Sequence, residues 1–115
     1  MTKLEQLRDI AKRLEEATGP NEDIDKDSHE LFYWPLQPHE QLIGRTSSID
    51  AARALVERLL RGWLWSTGWD GDDHFCILTS PARHAEDDVE RTAPTAPLAI
   101  LKALFAALIQ QEESK

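Results

Sequence analysis

Between Leu98 and Ile109 the chain reads LAILKALFAALI, and Lys102 is its only polar residue. The run is too short to span a bilayer and a charge interrupts it, so its apolar surface has to be met by protein. Leu101, Leu104, Phe105 and Leu108 recur at helical spacing and form one face, while Ile100 and Ile109 fall well outside it. A helix that is apolar nearly all round is either enclosed by other elements or paired with a second surface. At 115 residues the chain is one domain by length, residues 1–115. In a domain of that size this helix is either the central packing element or an apolar edge, bearing Ile100, Lys102 and Ile109, for a second copy or a partner. Thr95 supplies the N-cap and Pro97 is tolerated in the first turn, so the helix runs from there to about Gln111.

The rest of the chain offers the elements that would surround it. Thr2-Lys3-Leu4-Glu5 is a capping box. Leu4, Leu7, Ala11 and Leu14 follow at helical spacing, and Gly19, in a left-handed conformation, and Pro20 are expected to end this helix near residue 18. Asn21 is an N-cap for a weaker helix in which Ile24, Leu31 and Phe32 give a thin apolar stripe. Residues 33–46, with Pro35, Pro38 and Gly44, read as a long connection with a short edge strand near Leu42 and Ile43. Ser47 opens a further helix whose buried face is Ile49, Ala52, Val56, Leu59 and Leu60, and Gly62 closes it.

From Trp63 the period changes from helical to two. Trp63, Trp65 and Trp69 share one parity, and Asp70-Gly71 is a two-residue hairpin signal between two runs. Taken literally, that turn sets Trp69 against Asp72, Thr67 against His74, Trp65 against Cys76 and Trp63 against Leu78. The opposite face pairs Leu64 with Ile77 and Ser66 with Phe75. A hairpin apolar on both faces requires cover on both. The expectation is an α+β fold, a three-layer α/β/α sandwich around a small antiparallel sheet with its central hairpin at 63–79. Trp63 and Trp65 would then be core, and Trp69, beside the turn, the candidate for an exposed aromatic. Gly68 reads as a bulge near the tip, and residues 80–94 as an acidic loop flanked by proline.

Twenty-one acids oppose thirteen bases, a formal charge of −8. Phosphate contacts require Lys and Arg, and no basic patch is visible, so direct nucleic-acid binding is not expected. An acidic surface favours basic partners instead. Asp70, Asp72, Asp73, Glu86, Asp87, Asp88 and Glu90 stand against Arg83 alone between residues 70 and 90. The amphipathic N-terminus lacks the continuous apolar core of a signal peptide, no segment suits a membrane, and a lone cysteine, Cys76, fits a reducing cytoplasm.

Chemistry is harder to find. His29, His39, His74 and His84 show no metal-ligand spacing, and His74 with Cys76 makes two ligands where structural zinc needs four. Asp23, Asp25 and Asp27 suggest a calcium loop, but the sixth and twelfth places hold Ser28 and Trp34 rather than Gly and Glu. No nucleophile elbow, P-loop or dinucleotide pattern occurs. Neither enzymatic activity, metal nor cofactor is expected.

ATGPNEDID after the first helix, TSSIDAARALVERLLRGWLWS, and TAPLAILKALFAALI near the C-terminus together resemble the phage ABA sandwich domain family. The resemblance covers most of the chain in order and agrees with the layering argued above. The acid-heavy second segment and the YWPLQPHEQLIG connection depart from it. It implies a phage or prophage product acting in a bacterial cytoplasm, and brings no catalytic residues. By analogy with small acidic phage inhibitors, anti-CRISPR proteins among them, it suggests a module that binds a basic host protein with a nucleic-acid-binding surface. Trp69, Asp70, Asp72, Asp73, Glu86, Asp87 and Asp88 would make the contact, the carboxylates steering guanidinium groups towards the indole. The alternative is an accessory or structural phage protein that self-associates, as a homodimer, through its C-terminal helix.

Overall fold

The C-terminal helix is the hub of the molecule. The computed structural model describes residues 2–32, 46, 48–81 and 88–113. Its elements are α1 (Lys3–Glu16), α2 (Glu22–Leu31), α3 (Ile49–Leu59), β1 (Leu64–Trp69), β2 (His74–Thr79), β3 (Val89–Ala93) and α4 (Ala96–Glu113). Thr95 starts α4, its hydroxyl accepting from Leu98 N at 3.4 Å and its carbonyl from Ala99 N at 3.1 Å. α4 touches α1, α3 and all three strands, which is how a helix that is apolar nearly all round is accommodated. Ile100 is 1% exposed. It belongs to the core, and its assignment to a free apolar edge is corrected. Ile109 is partly buried against the same core.

α1 runs antiparallel to α4, with Lys3 and Arg8 reaching Glu112 and Glu113 and Glu15 lying beside Lys102. The exposed pairs fix orientation more than they stabilise. The energy comes from Leu7, Ile10 and Leu14, all buried. Thr2 Oγ1 accepts from Glu5 N at 3.1 Å, so the cap forms where the sequence places it. The helix stops at Glu16, two residues early, because Ala17 turns extended at φ −75°, ψ 140°. Gly19 does not adopt the left-handed conformation expected of it; among the described glycines only Gly62 and Gly71 have positive φ.

Asn21 Oδ1 caps α2, accepting from Ile24 N at 3.0 Å. The cap is itself held by buried Thr46, whose hydroxyl accepts from Asn21 N at 2.7 Å and whose amide donates to Asp25 Oδ1 at 2.7 Å. Asp27 pairs with Arg13 of α1. Asp25 and Asp27 are therefore structural anchors, tying α2 to Thr46 and to α1. At the end of α2, Phe32 meets Phe105 of α4 with ring centroids 5.9 Å apart. The edge strand expected at Leu42 and Ile43 lies outside the described residues.

α3 begins one residue later than the sequence suggests. Ser48 is the cap, its hydroxyl accepting from Ala51 N at 3.2 Å. The buried stripe is Ala52, Leu55, Val56 and Leu60; Leu55 was not foreseen, and Ile49, in the first turn, is 49% exposed. Gly62, at φ 84°, turns the chain out of the helix into the sheet.

The sheet is antiparallel in the order β1-β2-β3, and with the four described helices it makes an α+β fold. Trp65 pairs with Leu78, Thr67 with Cys76 and Trp69 with His74. The expected register is thus displaced by two residues. A two-residue shift preserves parity, so each side chain keeps its face although its partner changes. Gly68 pairs regularly with Phe75, so it is not a bulge. β3 lies in the segment read as loop, and Val89 pairs with Leu78 and Ala93 with His74. On the face towards α4, Cys76, Leu78, Val89 and Ala93 are buried. Among the described elements α4 is the helix packed along all three strands; α1 and α3 pack chiefly on α4, and α3 adds the Arg53 side chain over Trp65. The expected helical cover of the second face is not supplied by any described element: Leu64 there is 59% exposed, while Phe75 and Ile77 are half-buried.

Candidate functional site

The tip of the hairpin is built by one side chain. Asp70 Oδ1 accepts from the amides of Asp72 and Asp73, both at 2.9 Å, and Asp70 N donates to Asp73 O at 3.0 Å. Gly71 completes the loop at φ 107°. The connection therefore has four residues, Asp70 to Asp73, in place of the expected two-residue turn. An aspartate that bonds amides two and three residues ahead builds its own turn, and that preference displaced the register. The amides of Asp73 and then Asp72 hold the Asp70 carboxyl below its ordinary pKa of 3.8. The charged form is the bonded one, so this contribution to stability is present above the ordinary carboxylate pKa and is lost as pH falls through the lowered value.

Asp72 and Asp73 carry no such duty. Both are exposed, and neither carboxylate makes a hydrogen bond or ion pair with a described residue. Trp69 ends β1 at the start of the same four-residue loop and is 65% exposed. The indole sits on the same face as Trp65 by parity, but at the end of an edge strand. Trp63 and Trp65 are packed against the core yet only half-buried, not enclosed as expected. Trp65 is covered by the Arg53 guanidinium, 5.2 Å from the ring centroid, which Glu57 holds at 2.9 Å. That cation–π cover explains how a large indole is accommodated at the rim of the core.

The other acids do not join this cluster. Asp88 is exposed and precedes Val89, the partner of Leu78. That is the far end of the sheet, about 17 Å from the tip at about 3.3 Å per residue. Glu90 pairs with Ile77 on the outer face. Glu86 and Asp87 lie outside the described residues. The structure brings together Trp69, Asp70, Asp72 and Asp73, and it separates Asp88 from them. The sequence had no signal for this, because the separation depends on β3.

His74 and Cys76 share a face, as parity requires. Cys76 is fully buried and burial pushes its thiol up to about 11, so it is protonated and inert across the neutral range. No group of three metal-ligating side chains occurs among the described residues, and no described helix is long and apolar enough to cross a membrane. Comparison with protein-family models, with curated proteins and with solved structures found no match for this chain.

Proposed function

We propose that this chain is a non-enzymatic, phage- or prophage-derived binding module that engages a basic surface on a host protein, in the manner of a defence inhibitor acting in the bacterial cytoplasm. The observation that carries the reading is the hairpin tip: an indole 65% exposed, next to two carboxylates that no described residue engages. An exposed tryptophan is a characteristic anchor of protein interfaces. Beside it, Asp72 and Asp73 would steer and pair with arginine or lysine on the partner, while the indole face stacks on a guanidinium. The formal charge of −8 supports the same partner chemistry at long range. Self-association through α4 is the weaker reading, since Ile100 and its neighbours are already enclosed by the protein's own core.

The test separates binding from folding. Asp70 is left intact because it builds the turn. Wild type, Trp69→Ala and the pair Asp72→Lys with Asp73→Lys are used to capture proteins from a bacterial lysate at low and high salt. The expected result is a partner retained at low salt, weakened by salt, and lost in both variants while their melting temperatures stay native. Undiminished capture by the charge-reversed variant overturns the assignment of the site. Capture that salt does not weaken overturns the basic partner.

A further inference from the structure

We propose a second binding site, for a small amphiphilic carboxylate, in the groove where α1, α4 and the edge strand β3 meet. The cavity there has a volume of about 300 Å³ and is lined by Ala11, Lys12, Glu15, Arg91, Lys102, Ala106, Ile109 and Gln110. Two features make it unlike the rest of the molecule. The first is charge. The chain as a whole has 21 acids to 13 bases, whereas this groove sets Lys12, Arg91 and Lys102 against Glu15 alone. The second is its floor, which is apolar and is kept open by alanines, one on each of two facing helices.

The cations retain capacity for a ligand. The Lys102 side chain is only 9% exposed. Its ammonium donates to Thr92 O at 3.2 Å and stands 3.7 Å from Glu15 Oε2, beyond hydrogen-bond reach. An ammonium has three donors, so its one hydrogen bond to a described residue leaves two for a ligand in the groove that Lys102 lines. Arg91 Nη1 donates to Glu90 O at 2.7 Å. A guanidinium offers five N–H groups in a planar fork, which leaves others for a carboxylate. Neither Arg91 nor Lys12 forms an ion pair with a described residue. A carboxylate placed between Arg91 and Lys102 would complete both, and an apolar chain behind it would lie on Ala11, Ala106 and Ile109. At about 30 Å³ per water-sized group the cavity accepts about ten such groups, the size of octanoate.

The experiment titrates the intact chain with octanoate, octyltrimethylammonium and inorganic phosphate. Binding is followed by calorimetry and by displacement of the fluorescent sulfonate anilinonaphthalene sulfonate. Octanoate is expected to bind saturably at one site per chain, with the ammonium analogue and phosphate both weaker by about tenfold or more. Arg91→Glu, a change at an exposed position, should weaken octanoate by about tenfold. Ala106→Phe should abolish binding by filling the floor. Both variants are checked by circular dichroism, and Arg91→Glu alone suffices if the larger side chain disturbs folding. Equal binding of octyltrimethylammonium reduces the site to a non-specific apolar surface and overturns the proposal. Equal binding of phosphate overturns the apolar half of it. Octanoate affinity unchanged in Arg91→Glu, or no saturable binding at all, overturns it outright.

Discussion

The two faces of the sheet are made of similar residues and have different fates. Towards α4, Cys76, Leu78, Val89 and Ala93 are at most 3% exposed. On the opposite face Phe75 and Ile77, equally apolar, stay half-buried and Leu64 is 59% exposed. Hydrophobicity and parity alone do not distinguish these faces. What distinguishes them is α4, whose apolar girth is large enough to meet the sheet on one side and α1 and α3 on the other. The same apolar side chain therefore has a different energetic value according to which helix, if any, stands over it.

The sharpest way to break the comparison is to truncate neighbouring residues on opposite faces of β2. Leu78→Ala should cost about 2–5 kcal/mol, since it empties a fully enclosed site. Ile77→Ala should cost about 1 kcal/mol or less, because its side chain keeps part of its contact with water in the folded state. Urea melts of the two variants measure the difference. Equal losses would mean that the second face is covered as well as the first.

A subtler probe lies at Gly68. A Cβ there would stand 2.7 and 2.8 Å from two ring carbons of Phe75, so the ring lies across the glycine and supplies the outer face with some cover of its own. Gly68→Ala should destabilise by about 1 kcal/mol or less, because the far end of the half-buried Phe75 ring must swing aside to admit the methyl group. In a double-mutant cycle with Phe75→Ala the two losses should be strongly non-additive. Additive losses would show that the ring is not what makes glycine necessary.

A probe of pH dependence reports on the covered face. The folded state raises the Cys76 thiol from about 9 to about 11 by burial. The sign follows from which form is favoured: folding favours the protonated thiol, so this contribution is complete below the unfolded value and is lost as pH rises through 11. The urea midpoint of wild type should fall between pH 9 and 11 by more than that of Cys76→Ala. Identical pH profiles would mean that the face opens readily to water.

Much of this architecture was legible because it rests on local rules. The caps at Thr2, Asn21 and Thr95 and the burial of α4 follow from side-chain chemistry within a few residues. The register was not legible. Asp-Gly is ambiguous between a two-residue turn and a longer loop, and the choice fell to the Asp70 side chain. β3 escaped because only Val89 and Ala93 mark its covered face, with Arg91 between them at the same parity. Missing that strand also joined two groups of acids that the sheet holds apart. The solvent-facing half of the candidate site was readable, since Trp69 ends a run of alternating residues beside three aspartates, whereas the basic groove was not. Lys12, Arg91 and Lys102 are far apart in sequence and meet only through the packing of α1, α4 and β3.

The cations at β3 have one more consequence. An outermost strand ordinarily offers its carbonyls to any extended segment that comes near, and this is how sheets grow into aggregates. Here Glu90 O and Thr92 O are already occupied by Arg91 and Lys102. An incoming strand would have to displace two charged side chains before it gained its first backbone bonds, and would then leave the Lys102 ammonium without its backbone acceptor. The side chains that make the groove basic also act as stoppers, occupying the outer carbonyls of the last described strand so that this margin of the sheet is a poor template.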